Sequence, residues 1–355
     1  MEIVLQELIS KLEFGLALNE EEIDAAIKDL VSEAETPEAK ALFLEALSKK
    51  GETPEEIVGF VKAARRLSIP VELPNQLRER GVLDVVGTGG DNAGTINVST
   101  AVAIVCAAAG ILVCKHGNRA ATSKCGGADL LEALGIKIEL EPGEAVEWLE
   151  RHNFAFLFAP RYHPAFKHVA QARKICAQRG IRTIFNFLGP LLNPANPTHM
   201  LLGVMNEKFC LPIAQVLAQT GVKRGMVVTG LLPEGESLIR IDELSTVGPN
   251  TIAEFDQSLP PSLFILDTSS WGFEKADASG FRGSDPQANA QIITEIFKGR
   301  SKGPRVEIIC LNAGAAFYVV GKAKSIQEGV KLAAEVIESG SAAEKLCQLQ
   351  NASRA

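Results

Sequence analysis

This chain lacks a CxxC pair, a long basic run, an internal repeat and a low-complexity tract. Each absence removes a class of protein. Seven cysteines, odd in number and scattered, argue against a disulfide framework and a cysteine zinc site, so reduced thiols are expected. His163 and His168 are five apart, which is not the histidine spacing of a zinc-binding helix. With a net charge of −7 and no basic cluster, nucleic acid is not an expected partner. No segment reads as a membrane span, and residues 1–18 are amphipathic, carrying Glu2, Glu7, Lys11 and Glu13 instead of a basic flank and an apolar core. The expectation is a soluble, cytoplasmic protein without a membrane partner.

The two familiar phosphate motifs are also missing. No glycine-lysine-serine or glycine-lysine-threonine follows Gly94, and Gly87, Gly89 and Gly90 have the wrong phase for a dinucleotide fingerprint. In their place stand two glycine-rich loops about one βα unit apart, GTGGDNAGTINVST (87–100) and KHGNRAATSKCGGAD (115–129). Each follows an apolar strand-like run (83–86, 111–114) and leads into a helical pattern (101–109, 128–134). In a parallel sheet both loops therefore lie at the carboxyl edge of neighbouring strands, where open α/β folds bind ligands. Glycines let main-chain amides approach a phosphate, and the following helix N-termini add a positive dipole end. Ser99 or Thr100 is the expected N-cap, and Lys115 and Arg119 bring positive charge to the second loop. The pair of loops suits a ligand with more than one phosphate.

A 355-residue chain with 46% hydrophobic residues can bury a large core in two domains. Residues 1–75 read as helices: Asn19 with Glu22 and Thr53 with Glu56 have capping-box spacing, and Pro37 and Pro54 fit first-turn positions. The segment 68–74 reads as a linker. In residues 76–355 short apolar runs near Val82, Ile111, Ile136, Phe154, Met200 and Met226 alternate with helical patterns, and a helical tail begins near Pro304. The predicted fold is α/β with a separate all-α domain, its central sheet mostly parallel. Residues 260–286 read as an irregular surface loop.

The two loops, together with APRYHPAFKH (159–168), RTIFNFLGPLLNP (182–194), DELS (242–245) and LNAGAAFYV (311–319), resemble the anthranilate phosphoribosyltransferase family of tryptophan biosynthesis. The resemblance spans nearly the whole chain, with the segments in the same order. It implies transfer of a 5-phosphoribosyl group from phosphoribosyl diphosphate to the amine of anthranilate, with release of diphosphate. It further implies a homodimer through the helical domain, helices from about 165–190 that return to that domain, and a hinge between the domains.

Residue by residue, the resemblance assigns phosphoribosyl diphosphate to Gly87, Gly90, Asp91, Thr95, Asn97, Val98, Ser99, Thr100, Lys115, His116, Gly117, Asn118, Arg119, Ala120, Ala121, Thr122, Ser123 and Gly127. Anthranilate falls to Gly87, Asn118 and Arg173, with Arg161, Arg179 and Arg182 as rival arginines. An arginine suits a carboxylate because its planar fork can grip both oxygens. About three residues more than the family pattern lie between Arg173 and residues 180–183, close to one helical turn. Read alone, Asp242 and Glu243 are a solvated acidic pair; under the resemblance they hold magnesium, two ions with the diphosphate, and Ser99 completes the metal contact. No covalent nucleophile is expected. Thr122 and Cys125 replace common serines of the family, and His116 and His163 fall in family motifs near the aromatic acid's path. Two other readings remain at this point. A pyrimidine nucleoside phosphorylase shares the architecture but lacks the KHGNR and RTIFN segments, and a non-catalytic nucleic-acid-binding paralogue should show a basic groove and an eroded acidic pair.

Overall fold

The computed structural model describes residues 5–90, 93–120 and 124–354. The predicted ligand residues Asp91, Ala121, Thr122 and Ser123 therefore lie outside the described residues. The chain divides into two compact units: one is the chain up to Pro70 with Ala159–Pro194, the other Val71–Phe158 with the chain from Ala195 onward.

In the first unit the helices Leu5–Glu13, Glu20–Val31, Pro37–Lys50 and Pro54–Arg65 are set by local rules. Asn19 with Glu22 and Thr53 with Glu56 form reciprocal capping boxes, and Pro37 and Pro54 occupy the first helical turn, where a missing N–H costs nothing. Leu8, Leu12, Phe43, Leu44 and Phe60 are buried between the helices. The returning segment contributes Ala159–Tyr162, a 3-10 turn Pro164–Val169, and helices Ala170–Gln178 and Phe185–Leu191. Lys40 is buried, and its Nζ donates to the carbonyls of Ser32 (2.5 Å) and His168 (3.1 Å), fastening the returning segment to the first helices.

The second unit is built on an eight-stranded sheet: β1 Val82–Gly87, β2 Leu112–Gly117, β3 Phe154–Phe158, β4 His199–Gly203, β5 Arg224–Glu234, β6 Ser237–Ile241, β7 Pro249–Asp256 and β8 Leu259–Asp267. The order is β3-β2-β1-β4-β5-β7-β8, with β6 paired to β5. The first five strands in that order run parallel, β6 and β7 each pair antiparallel with β5, and β8 pairs antiparallel with β7. The parallel strands are apolar almost throughout because both of their faces are covered. The chain winds outward from β1 through β2 to β3, then resumes on the other side of β1 at β4. That reversal makes the carboxyl ends of β1 and β4 the topological switch point, where such sheets open a crevice for ligands.

Three local expectations are corrected. No strand forms at Ile136: residues 136–140 alternate buried and exposed, but the amide of Lys137 donates to the Ser353 hydroxyl (2.8 Å) instead of a neighbouring strand. Residues 260–286 are not irregular throughout, since β8 pairs with β7; Pro260 and Pro261 are tolerated because β8 is an edge strand. The helix Val98–Ala108 takes Asn97 as its N-cap residue, which places Ser99 and Thr100 inside the first turn.

Candidate active site

The site residues of the second unit gather at that switch point. Gly87 ends β1 and is the register partner of Gly203 at the end of β4. A Cβ at Gly203 would overlap the carbonyl oxygen of Asp242, and one at Gly87 would overlap its carboxylate. Glycine at 203 lets the main chain of Asp242 cross close to the sheet edge, and glycine at 87 leaves room for its carboxylate. The Asp242 carboxylate accepts the amide of Gly89 at 2.7 Å, joining the acidic segment to the first loop.

The acidic segment is tied down along its length. Thr229 Oγ1 donates to the carbonyl of Ile241 (2.9 Å). Asn312, buried in the helix Pro304–Val319, accepts the amide of Leu244 and donates to its carbonyl, both at 2.9 Å. Asn250 does the same for Ser245, at 2.6 and 3.0 Å. Asp242 and Glu243 are thus presented by a fixed main chain.

The first loop is shaped mainly by backbone pairing with distant segments. The amide of Thr88 donates to the carbonyl of Gly203 (2.9 Å), that of Ile96 to Phe281 (2.9 Å), and that of Gly283 to Gly94 (2.8 Å), with Thr95 bridged to Arg282 and Gly90 lying between. The loop delivers the chain into the helix Val98–Ala108, which has no side-chain N-cap bond. The Val98 amide donates to the carbonyl of Ile96 (2.7 Å), and the first turn with Ser99 and Thr100 brings the positive end of the helix dipole to the crevice. The Asn97 side chain reaches the second loop, donating to the carbonyl of Cys125 at 2.8 Å.

Lys115, His116 and Gly117 belong to β2, and Asn118, Arg119 and Ala120 open the second loop. Lys115 is buried; its Nζ donates to the carbonyl of Val85 and lies 3.2 Å from Ser99 Oγ. Burial lowers its pKa to about 8, against the opposing pull of Asp84, Asp242 and Glu243. His116 is buried as well, its amide 3.4 Å from the Asp84 carboxylate. Asn118 accepts the Arg119 amide on its side chain (2.7 Å) and the Ala128 amide on its carbonyl (3.2 Å). Arg119 is paired with both carboxylate oxygens of Glu132, contacts Asp129 at 3.2 Å, and lies 5.5 Å from the Phe158 ring centre. Asp129 accepts the amides of Ala120 and Gly126, each at 2.9 Å, pinning both ends of the loop. Burial opposes its ionisation, but these amides and Arg119 hold its pKa below the usual value. A Cβ at Gly126 would overlap the backbone of Ala120, so the two ends of the second loop are packed backbone to backbone, and one at Gly127 would sit 3.1 Å from the Thr100 side-chain oxygen.

The expected local excess of positive charge is not what forms. Lys115 faces Asp84, Asp242 and Glu243, and Arg119 is taken up by Asp129 and Glu132. A polyphosphate entering this crevice meets amides and carboxylates, so a cation must accompany it. The available donors, two adjacent carboxylates and the Ser99 hydroxyl, are hard oxygens of the kind magnesium accepts. Among the described residues no group of three or more His, Cys, Asp or Glu side chains is placed to hold a metal. An ion here would draw on hydroxyl and phosphate oxygens for its remaining contacts.

Arg173 stands in the helical unit, on the exposed side of Ala170–Gln178, its guanidinium 5.5 Å from the Phe185 ring centre. The rival Arg179 is committed to Glu45. His163 is buried and stacks on Phe166 at 5.5 Å; burial lowers its pKa to about 4, so the ring is neutral. Cys125 is buried, and burial raises its thiol to about 11, which leaves it inert as a nucleophile. Sequence reasoning missed Asp129, Gly203, Asn250 and Asn312. Asp129 and Asn312 lay inside quoted motifs, but nothing local distinguished an anchoring role from a surface or core one.

The family model described as glycosyl transferase family, a/b domain, matches residues 79–343, and the helical bundle domain of that family matches residues 6–68. The chain is 43% identical over 347 residues to anthranilate phosphoribosyltransferase of Methanosarcina acetivorans, covering 98% of this chain and 89% of that protein. It is 41% identical to the Rubrobacter xylanophilus enzyme, covering 99% and 98%. Among solved structures it resembles anthranilate phosphoribosyltransferase from Thermus thermophilus, with 40% identity, a TM-score of 0.86 and coverage of 98% and 99%. The Saccharomyces cerevisiae enzyme, in complex with PRPP and Mg, matches at 28% identity and a TM-score of 0.85, with coverage of 99% and 98%.

Proposed function

The chain belongs to the anthranilate phosphoribosyltransferases, a glycosyl transferase family, and on that premise we propose how its residues divide the work. The reaction is transfer of the 5-phosphoribosyl group of phosphoribosyl diphosphate to the amine of anthranilate in tryptophan biosynthesis, giving N-(5-phosphoribosyl)anthranilate and diphosphate. The observation that carries the assignment of roles is the acidic segment 242–245, laid across Gly87 and Gly203 and bonded to Gly89. It puts the Asp242 carboxylate against the first loop, with Glu243 next to it in the chain.

The two loops bind the phosphoribosyl diphosphate, the first through the turn 98–100 and the second through backbone held by Asp129. Asp242, Glu243 and Ser99 would hold magnesium, two ions with the diphosphate, and the metal would supply positive charge for the leaving group. Lys115 keeps Ser99 oriented from below. Arg173 grips the anthranilate carboxylate, with Gly87 and Asn118 as further anthranilate contacts. The arylamine is neutral at physiological pH with its lone pair available, so no strong base has to remove a proton before attack. The protein's task is alignment and stabilisation of departing charge while the sugar carbon turns cationic. No side chain serves as a covalent nucleophile.

The working form is a homodimer through the helical unit, a reading supported by the exposed apolar side chains Phe14 (84%), Leu16 (55%) and Leu42 (50%) of that unit. Sedimentation at twice the chain mass checks it. No helix among the described residues is long and apolar enough to cross a membrane, and six of the seven free cysteines are buried. Both features fit a cytoplasmic enzyme.

The test follows the loss of anthranilate fluorescence with magnesium and phosphoribosyl diphosphate present. Replacing both Asp242 and Glu243 with Ala should cost at least about 10³-fold in turnover, and unchanged turnover would remove them from the site. Arg173→Ala should raise KM for anthranilate far more than KM for the donor. Equal effects reject that assignment.

A further inference from the structure

Asn289 lies in the helix Pro286–Phe297, is 2% exposed, and has no role in the site as described above. Its Oδ1 accepts the amide of Ser284 at 2.7 Å, and its Nδ2 donates to Asn97 Oδ1 at 3.0 Å. Asn97 passes the connection on, its Nδ2 donating to the carbonyl of Cys125 at 2.8 Å. The direction of this chain is fixed at both ends, because a backbone N–H can only donate and a backbone carbonyl can only accept. Neither amide can turn over without setting oxygen against oxygen or nitrogen against nitrogen. The same three-bond line therefore joins residue 284, the first loop and the second loop in one register. It runs beside the backbone pairing of residues 94–96 with 281–283, so the first loop is gripped from its main chain and from Asn97 together.

We propose that Asn289 is a positioning residue for phosphoribosyl diphosphate, acting through Asn97 to set the spacing between the two loops. It touches no substrate. Its effect arises because a ligand spanning both loops is sensitive to displacements near one ångström, whereas one of them alone could follow its ligand. The inference rests on the reading that both loops bind the donor.

The test is steady-state kinetics and melting temperature for Asn289→Asp, Asn97→Ala and the double variant. Asn289→Asp keeps the shape but turns an acceptor toward Asn97 Oδ1, forcing that amide to flip and its oxygen to face Cys125 O. KM for phosphoribosyl diphosphate should rise about tenfold, the effect of one or two lost hydrogen bonds. KM for anthranilate should stay within about twofold and melting temperature near that of the unaltered protein, as expected when positioning alone is lost. In the Asn97→Ala background the effect of Asn289→Asp should shrink severalfold, because the link through Asn97 is gone and Asn289 keeps only its contacts with Ser284 and the Cys125 thiol. Should the carboxylate prevent folding, Asn289→Ser carries the same expectation without the charge. Parallel rises in both KM values, or fully additive effects of the two substitutions, would overturn the proposal. An unchanged donor KM in Asn97→Ala alone would overturn the loop assignment itself, and this inference with it.

Discussion

The two loops at the sheet edge are held by opposite means. The first is held largely by main chain from far along the sequence: Gly203, Asp242 and residues 281–283 lie more than a hundred positions from it. The second is held by a side chain close in sequence, the Asp129 carboxylate, which collects two amides and an arginine within ten positions. A long-range frame fails when the fold shifts, and a local staple fails when one carboxylate is removed.

The largest effect is expected from Gly203→Ala, which forces the Asp242 carbonyl away from the sheet edge. Turnover should fall on the order of 10²-fold, as for a misplaced catalytic geometry, with KM for anthranilate little changed. A fully active variant would show that the acidic segment has slack and that the first loop is not framed by it. Next comes Asp129→Asn, which offers one acceptor where two amides and Arg119 now share a carboxylate. Donor KM should rise about tenfold with turnover less affected, consistent with the loss of charge-assisted bonds. If turnover fell together with stability while donor KM stayed unchanged, the staple would be part of the general fold and the contrast between the loops would disappear.

The smallest effect concerns acid. The folded pKa of Asp129 is lowered, so its contribution is present above the unfolded value near 4 and is lost as pH falls through the folded value. Amide exchange, corrected for its intrinsic rate, should therefore lose protection at Ala120 and Gly126 as pH drops below about 4. Thr88 and Ile96, which donate to backbone carbonyls that do not titrate in this range, should keep theirs. Loss at all four positions together would mean that acid unfolds the unit as a whole.

Much of the site was legible from the chain. Both glycine-rich loops and the capping boxes were visible as spacing, whereas the acidic pair after β6 read by itself as a solvated pair and took its role only from the family resemblance. Where spacing carried the wrong message, a distant partner was responsible. The alternation at 136–140 looks like a strand, yet its Lys137 amide is satisfied by Ser353, and Pro260 and Pro261 read as a turn although an edge strand tolerates them. Likewise Lys115 and Arg119 promised a positive pocket, but Asp84, Asp242, Glu243, Asp129 and Glu132 come to meet them in the folded chain.

The amino-acid order alone determined the classes of element, the parallel sheet and the chemistry available in each loop, because those follow from periodicity, turn residues and the contacts of adjacent positions. Tertiary structure alone decided that β1 and β4 end side by side as two glycines and that a segment from residue 242 crosses them. It also decided that Asn250 and Asn312 fix that segment. Those contacts join parts of the chain that no local rule connects, and only closure of the sheet brings them within reach of a hydrogen bond.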